Sequence, residues 1–186
     1  MIRTLVVDDH PALRKGIVDA LRLEPGFVPV ASAPGAIPAI GQAERNRPDV
    51  ALVDYQLADG DGLSLCHRLK HLSSPPAVVL YSAFSGVDLR VAARVAGADG
   101  MVDKGAPLEH LFAAIRAVAR GGQALPPLRP SLTEASVARL DPDDLPILGM
   151  RMDGVPTGEI AEVLRLDEDE VSRRTLAMLE RLARAA

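Results

Sequence analysis

The sequence predicts an α/β fold, a five-stranded doubly wound parallel sheet in the order 2-1-3-4-5, followed by a small all-helical second domain. Three observations predict it. Short apolar runs alternate five times with stretches of helical period. Two glycines and three prolines then fall within residues 121–130, a composition that cannot continue a helix. Beyond that break come three helical patterns with no strand between them.

The strands are expected at Thr4–Val7, Val28–Ala31, Val50–Val53, Val78–Tyr81 and Gly100–Val102. Helices are expected at 11–23, 35–46, 62–72, 86–96 and 107–120, the first opening on Pro11, whose missing N–H costs nothing there. Right-handed crossovers leave few topologies for five such units. The domains follow as 1–120, a linker at 121–139 and a helical domain at 140–186 with helices near 143–153, 157–164 and 168–184. Aromatics are only 3% of the chain and Trp is absent, so the core must be built from Val, Leu, Ile and Ala. The single Cys66 excludes an intrachain disulfide and a multi-Cys zinc site, and reads as a small core residue. The opening MIRTLVV meets Asp8-Asp9 too soon for a signal peptide, and the run Ala77–Tyr81 is strand-sized. These features predict a cytoplasmic protein with no membrane partner.

Residues just past the carboxyl ends of parallel strands face a common crevice. Asp8 and Asp9 end the first strand and Asp54 ends the third, its neighbour in the expected order. Three converging carboxylates repel unless a cation intervenes, and hard oxygen donors suit Mg²⁺. Ser82 closes the fourth strand with a hydroxyl, and Lys104 follows the fifth with an ammonium. A hydroxyl and a cation beside a carboxylate–metal site are what phosphoryl oxygens need.

The segments VVDDHPALRKGI, ALVDYQLADGDGL, VVLYSAF and GADGMVDKGAP resemble the successive motifs of the receiver domain of two-component response regulators. The resemblance covers residues 1–120 and implies a flavodoxin-like fold. It implies that a sensor histidine kinase donates a phosphoryl group to Asp54, with no turnover of an external substrate. It implies Mg²⁺ held by Asp9, Asp54 and the backbone carbonyl of Gln56, with Asp8 acting through water. Lys104 would then contact the phosphoryl group, Ser82 would be the switch hydroxyl, and Ala83 the small residue beside it. Two positions depart from the family: Met101 replaces the usual aromatic switch residue, and Ala58 replaces a common Pro. Met is flexible, which softens the expected relay. His10 is read as a neighbour of the acid pair rather than a ligand, and His67 with His71 as a solvated helix face.

The segment LDPDDLPILGMRMDGVPTGEIAEVLRLDEDEVSRRTLAMLERL resembles the helix-turn-helix of LuxR-type (NarL/FixJ-like) regulators. Val171, Thr175, Met178, Leu179 and Leu182 would form the buried face of its last helix, with Asp167 and Glu170 as a capping box. The resemblance implies DNA binding through Ser172, Arg173 and Arg174, and a homodimer on activation. Charge opposes it: from Ser131 onward seven Arg and no Lys face twelve Asp and Glu, a net −5. Phosphate neutralisation is poorly served by such a domain. Pro146 about one turn into the first helix, with Gly149 and Gly158, is expected to weaken the scaffold. Two readings stay open: a transcription regulator, and a signalling protein whose degenerate helix-turn-helix binds a protein partner. A phosphohydrolase with a nucleophilic Asp is a third, disfavoured because the acceptor ends strand three and no cap-like features follow.

Overall fold

A computed structural model of the chain describes all residues except 84, 85, 129–133, 135, 185 and 186. Part of the expected linker therefore lies outside the described residues. The chain forms two compact units, Met1–Ala83 with Ala98–Leu125, and Phe84–Gly97 with Pro126–Ala186.

In the first unit five parallel strands pair in the order β2-β1-β3-β6-β7: β1 Ile2–Val7, β2 Phe27–Ala33, β3 Val50–Asp54, β6 Ala77–Ser82 and β7 Gly100–Asp103. This is the expected order. The numbering differs only because a small antiparallel hairpin, β4 Gln56–Leu57 and β5 Gly60–Asp61, follows β3. The central strands are apolar on both faces, as a sheet covered on both sides requires; Val50 to Asp54 are all buried. One face packs against α1 (Pro11–Leu23) and α5 (Leu108–Val118), through Ile17, Leu21, Leu111 and Ile115 on Val6, Leu52 and Val79. On the other face lie α2 (Ala36–Asn46) and α3 (Gly62–Lys70). After α5 the chain turns back along the edge of β7, where the Met101 N–H donates to the Ala124 carbonyl at 3.0 Å.

Helix α2 lacks a capping side chain of its own. Its N-cap is Gly35, and the Asp59 carboxylate from the β4–β5 turn accepts from the Ala36 and Ile37 N–H groups at 2.7 and 2.9 Å. These bonds hold the Asp59 carboxyl below its ordinary value. A side chain on Gly35 would meet Asp59 Oδ1 at 2.3 Å, so glycine is required by the cap. Cys66 is buried as expected. His67 departs from expectation: it is buried, not solvated, on the same face of α3 as the buried Leu63 one turn earlier. His71 is exposed and its ring lies 4.3 Å from that of His67.

In the second unit α4 (Val87–Val95) packs with α6 (Leu145–Met152) and α8 (Glu168–Ala183), while α7 (Thr157–Leu164) packs on α8. Val91 and Val95 lie opposite Leu89, Ala92 and Ala93 on α4, and both sets are buried. Asp88 at its start accepts from Ser136 Oγ at 2.5 Å and from Arg139 at 3.1 Å. The expected inward face of α8, Val171, Thr175, Met178, Leu179 and Leu182, is buried. The expected weakness at Pro146 is corrected. A 3₁₀ turn spans Pro142–Asp144 and α6 begins at Leu145, so Pro146 occupies the first helical turn, where no i−4 bond is lost. Gly158 is likewise the second residue of α7 rather than an interior one. No helix among the described residues is long and apolar enough to cross a membrane.

Candidate functional site

The acidic site is assembled by chain turns at the carboxyl ends of β1, β3 and β7. Leaving β1, Asp8 accepts the His10 N–H on Oδ1 at 2.8 Å, and its carbonyl accepts from the Arg14 guanidinium at 2.6 Å. Asp54 ends β3 buried, with the Gln56 N–H donating to Oδ1 at 3.2 Å. Lys104 leaves β7 with its N–H on the Ser82 carbonyl at 2.8 Å, a bond that fixes where its side chain starts. Its Nζ lies 2.6 Å from Asp54 Oδ2 and 3.2 Å from Asp8 Oδ2, above the Tyr81 ring.

The loop after Asp54 is held close by three devices. The β4–β5 hairpin pairs Gln56 with Asp61, the Gly62 N–H returns to the Tyr55 carbonyl at 2.8 Å, and Asp61 caps α3 through Ser64. A Cβ on Gly62 would lie 2.2 Å from the Asp54 carbonyl oxygen, so only glycine permits this approach. Gly62 is thus a residue of the site that sequence reasoning did not single out. Its only signal was the DGDG run between two apolar segments.

Electrostatics follow from enclosure. Burial pushes the Asp54 carboxyl above its ordinary value, against the pull of Lys104 and the Gln56 N–H, with the Asp8 charge adding to the rise. Burial works against the Lys104 charge, but Asp54 and Asp8 outweigh it and hold the ammonium above its ordinary value. Ligand atoms of Asp8, Asp9, His10 and Asp54 lie within 4.8 Å of one another, a group that can hold a metal ion. The donors fit a cation. Asp9 Oδ1 is buried without a well-aligned hydrogen bond, and His10 Nδ1 lies 2.7 Å from it. A carboxylate oxygen with open acceptor capacity beside two further buried carboxylates invites a positive ion. His10, set aside on sequence grounds, is thus brought into the cluster, with its side chain 71% exposed.

Ser82 is buried at the end of β6 opposite Asp103, Ala83 is exposed beyond it, and Met101 is buried in β7 beside Leu80. Asp8, Asp9, Asp54 and Lys104 are therefore brought together as expected, with Gln56 joined through its backbone. In the second unit Ser172 is half-buried on α8 while Arg173 is exposed. Both arginines of interest already have partners. Glu170 accepts from the guanidinium of Arg173, at 2.9 Å from Nε, and from Arg174 Nε at 2.7 Å.

Residues 4–116 match the family model of the response regulator receiver domain. The chain belongs to the response regulators. The nitrate/nitrite response regulator protein NarL of Escherichia coli (strain K12) is 30% identical over 96% of this response regulator and 88% of its own length. The DNA-binding transcriptional activator DevR/DosR of Mycobacterium tuberculosis is 28% identical over 98% of this chain and 88% of the relative. Among solved structures, RcsB of Salmonella enterica serovar Typhimurium matches over the full length of both chains with a TM-score of 0.64 at 20% identity, a likeness of fold. The regulator thus carries a receiver followed by a LuxR-type helical domain, as the motifs imply.

Proposed function

We propose that this response regulator accepts a phosphoryl group on Asp54 from a sensor histidine kinase and, in response, regulates transcription through its C-terminal helices. The observation that carries the first half is the buried Asp54 carboxylate with Lys104 Nζ at 2.6 Å and Asp8 and Asp9 beside it. In this reading Asp9, Asp54 and the Gln56 carbonyl would hold Mg²⁺, with Asp8 acting through water, and the bound ion would supply charge neutralisation for phosphoryl transfer. An Asp54 carboxylate oxygen attacks phosphorus as the P–N bond to the kinase histidine breaks, the electron pair leaving with the imidazole. Lys104 then moves its charge from Asp54 to a phosphoryl oxygen, and Ser82 donates its hydroxyl to another. Ala83 leaves room beside the acceptor, and Met101 repacks in place of an aromatic. The protein turns over no external substrate; its product is its own acyl phosphate.

The domain limits that go with this reading are 1–120 for the receiver, 121–139 for the linker and 140–186 for the helix-turn-helix. The protein works in the cytoplasm, as expected of its family, and dimerises on activation. Ser172, Arg173 and Arg174 of α8 contact DNA, a reading supported by DevR/DosR being DNA-binding. The occupied arginines favour the second reading, a protein partner for these helices.

Intact-mass measurement after treatment with a small phosphodonor and Mg²⁺ tests the acceptor. The parent should gain one phosphoryl group and Asp54→Asn none; an adduct that survives in the variant overturns the assignment. Titration with promoter DNA at about 50 mM salt, where phosphate contacts are strongest, separates DNA from protein as the partner.

A further inference from the structure

Five of the seven arginines beyond residue 130 are engaged by groups of their own unit. Arg139 meets Asp88, Arg151 meets Thr157, Arg173 and Arg174 meet Glu170, and Arg181 lies 4.0 Å from Asp144. Two carboxylates each face two guanidinium groups, Asp144 at 3.7 and 4.0 Å and Glu170 within hydrogen-bond distance of both of its partners, so Glu170 is the tighter holder. Its Oε2 takes Arg173, its Oε1 takes Arg174 at 2.7 Å, and Arg174 also faces Asp144 at 3.7 Å. At the third position of a capped helix, such a Glu commonly reaches back to the N-cap N–H. Here Asp167 accepts the Glu170 N–H at 2.6 Å, but the Glu170 carboxylate is taken by the arginines one turn onward.

Two oxygens of one anion, each facing a guanidinium edge, is the pattern a phosphate makes with paired arginines. We propose that Glu170 is an internal substitute for a DNA phosphate, and that displacing it from Arg173 and Arg174 is the step that sets how strongly this domain grips DNA. The proposal rests on the DNA reading above and names the residue that limits it. Displacement leaves a carboxylate in a helical turn that already carries Glu168 and Asp169, so the freed charge faces the approaching backbone. This gives a local cause for weak binding, distinct from the net charge of −5.

The test compares the full chain, treated with a small phosphodonor and Mg²⁺, with Glu170→Gln and Glu168→Gln, by fluorescence anisotropy against a short DNA duplex over a salt series. The two variants make the same charge change, but no arginine partner is seen for Glu168 among the described residues. A third protein adds Arg173→Gln and Arg174→Gln to Glu170→Gln; melting curves check that all are folded. Glu170→Gln should bind about tenfold more tightly at about 50 mM salt, with a slope of log affinity on log salt steeper by one to two. Glu168→Gln should gain far less, and the triple variant should lose the gain. Equal gains in both single variants, or binding by Glu170→Gln equal to the parent's, overturn the proposal while the DNA reading stands. No binding by any of the proteins sinks both.

Discussion

The two regions use the same pair of chemical groups, carboxylate and cation, to opposite ends. At the strand ends Lys104 reaches Asp54 and Asp8, whose side chains are 4% and 2% exposed. On α8 Arg173 and Arg174 reach Glu170 at a surface open to water, with side chains 70%, 30% and 23% exposed. In the first place enclosure makes the charges costly to leave unmatched, so the carboxylates and the lysine are held on one another. In the second, water screens the pair and the arginines are simply occupied. A cluster of charges thus reads as chemistry where strands converge to bury it, and as competition where a helix displays it.

The largest expected effect lies in the enclosed pair. Lys104→Gln removes a cation that touches both Asp8 and Asp54, and should slow phosphoryl acceptance by roughly 100-fold, the usual cost of losing a placed charge donor. The rate of adduct formation by intact mass checks this. A rate close to the parent's would mean that the lysine only balances charge in the resting state.

Gly62→Ala attacks the frame of the same pocket rather than its charge. The new Cβ would be 2.2 Å from the Asp54 carbonyl and 2.9 Å from Tyr55 Cα, both backbone atoms that cannot swing aside. A loss of about 1–3 kcal/mol in urea unfolding is expected, together with slower phosphorylation. An unchanged midpoint would show that the loop yields easily and that the close approach is incidental.

These two sites also mark what the sequence could and could not tell. The convergence of Asp8, Asp9, Asp54 and Lys104 was legible because short apolar runs between stretches of helical period locate strand ends, and topology brings those ends together. The limits of α1 match expectation to the residue, since Pro11 marks its start. Gly62 was not legible, because what it must avoid is a carbonyl eight residues earlier that a turn folds back on it. The β4–β5 hairpin has two residues per strand and no apolar alternation to announce it. His67 was misjudged because spacing alone does not say which side of α3 faces inward. The Pro146 error came from an unread 3₁₀ turn, which moves the start of the helix two residues on, from 143 to 145. The capping-box reading holds for Asp167, which accepts the Glu170 N–H, but not for the Glu170 carboxylate, which turns to two arginines instead of the N-cap N–H.

Asp59 offers a smaller test on the exposed edge of the first unit. Asp59→Ala removes the acceptor for two N–H groups of α2 across 23 residues of chain and should cost about 1 kcal/mol. The folded carboxyl is held below its ordinary value of 3.8, so its contribution is complete above that value. It is lost as pH falls through the lower folded value. Urea unfolding of parent and variant should therefore differ at neutral pH and converge in acid. A difference that persists in acid would assign the effect to packing instead of the cap.

Glu170→Gln should have the smallest effect on folding of the four. The substitution leaves the Asp167 cap on the Glu170 backbone N–H, keeps the length of the side chain, and removes a charge that water already screens. Its melting temperature should be indistinguishable from the parent's, even though the same change is expected to alter DNA affinity about tenfold. That separation is the point of the contrast with Lys104. A buried charge pair cannot be altered without disturbing the pocket it fills, whereas a displayed pair can change its partner while the helix beneath it stays as it was. A drop of several degrees for Glu170→Gln would place its arginine contacts among the supports of the fold and remove the ground for treating them as exchangeable.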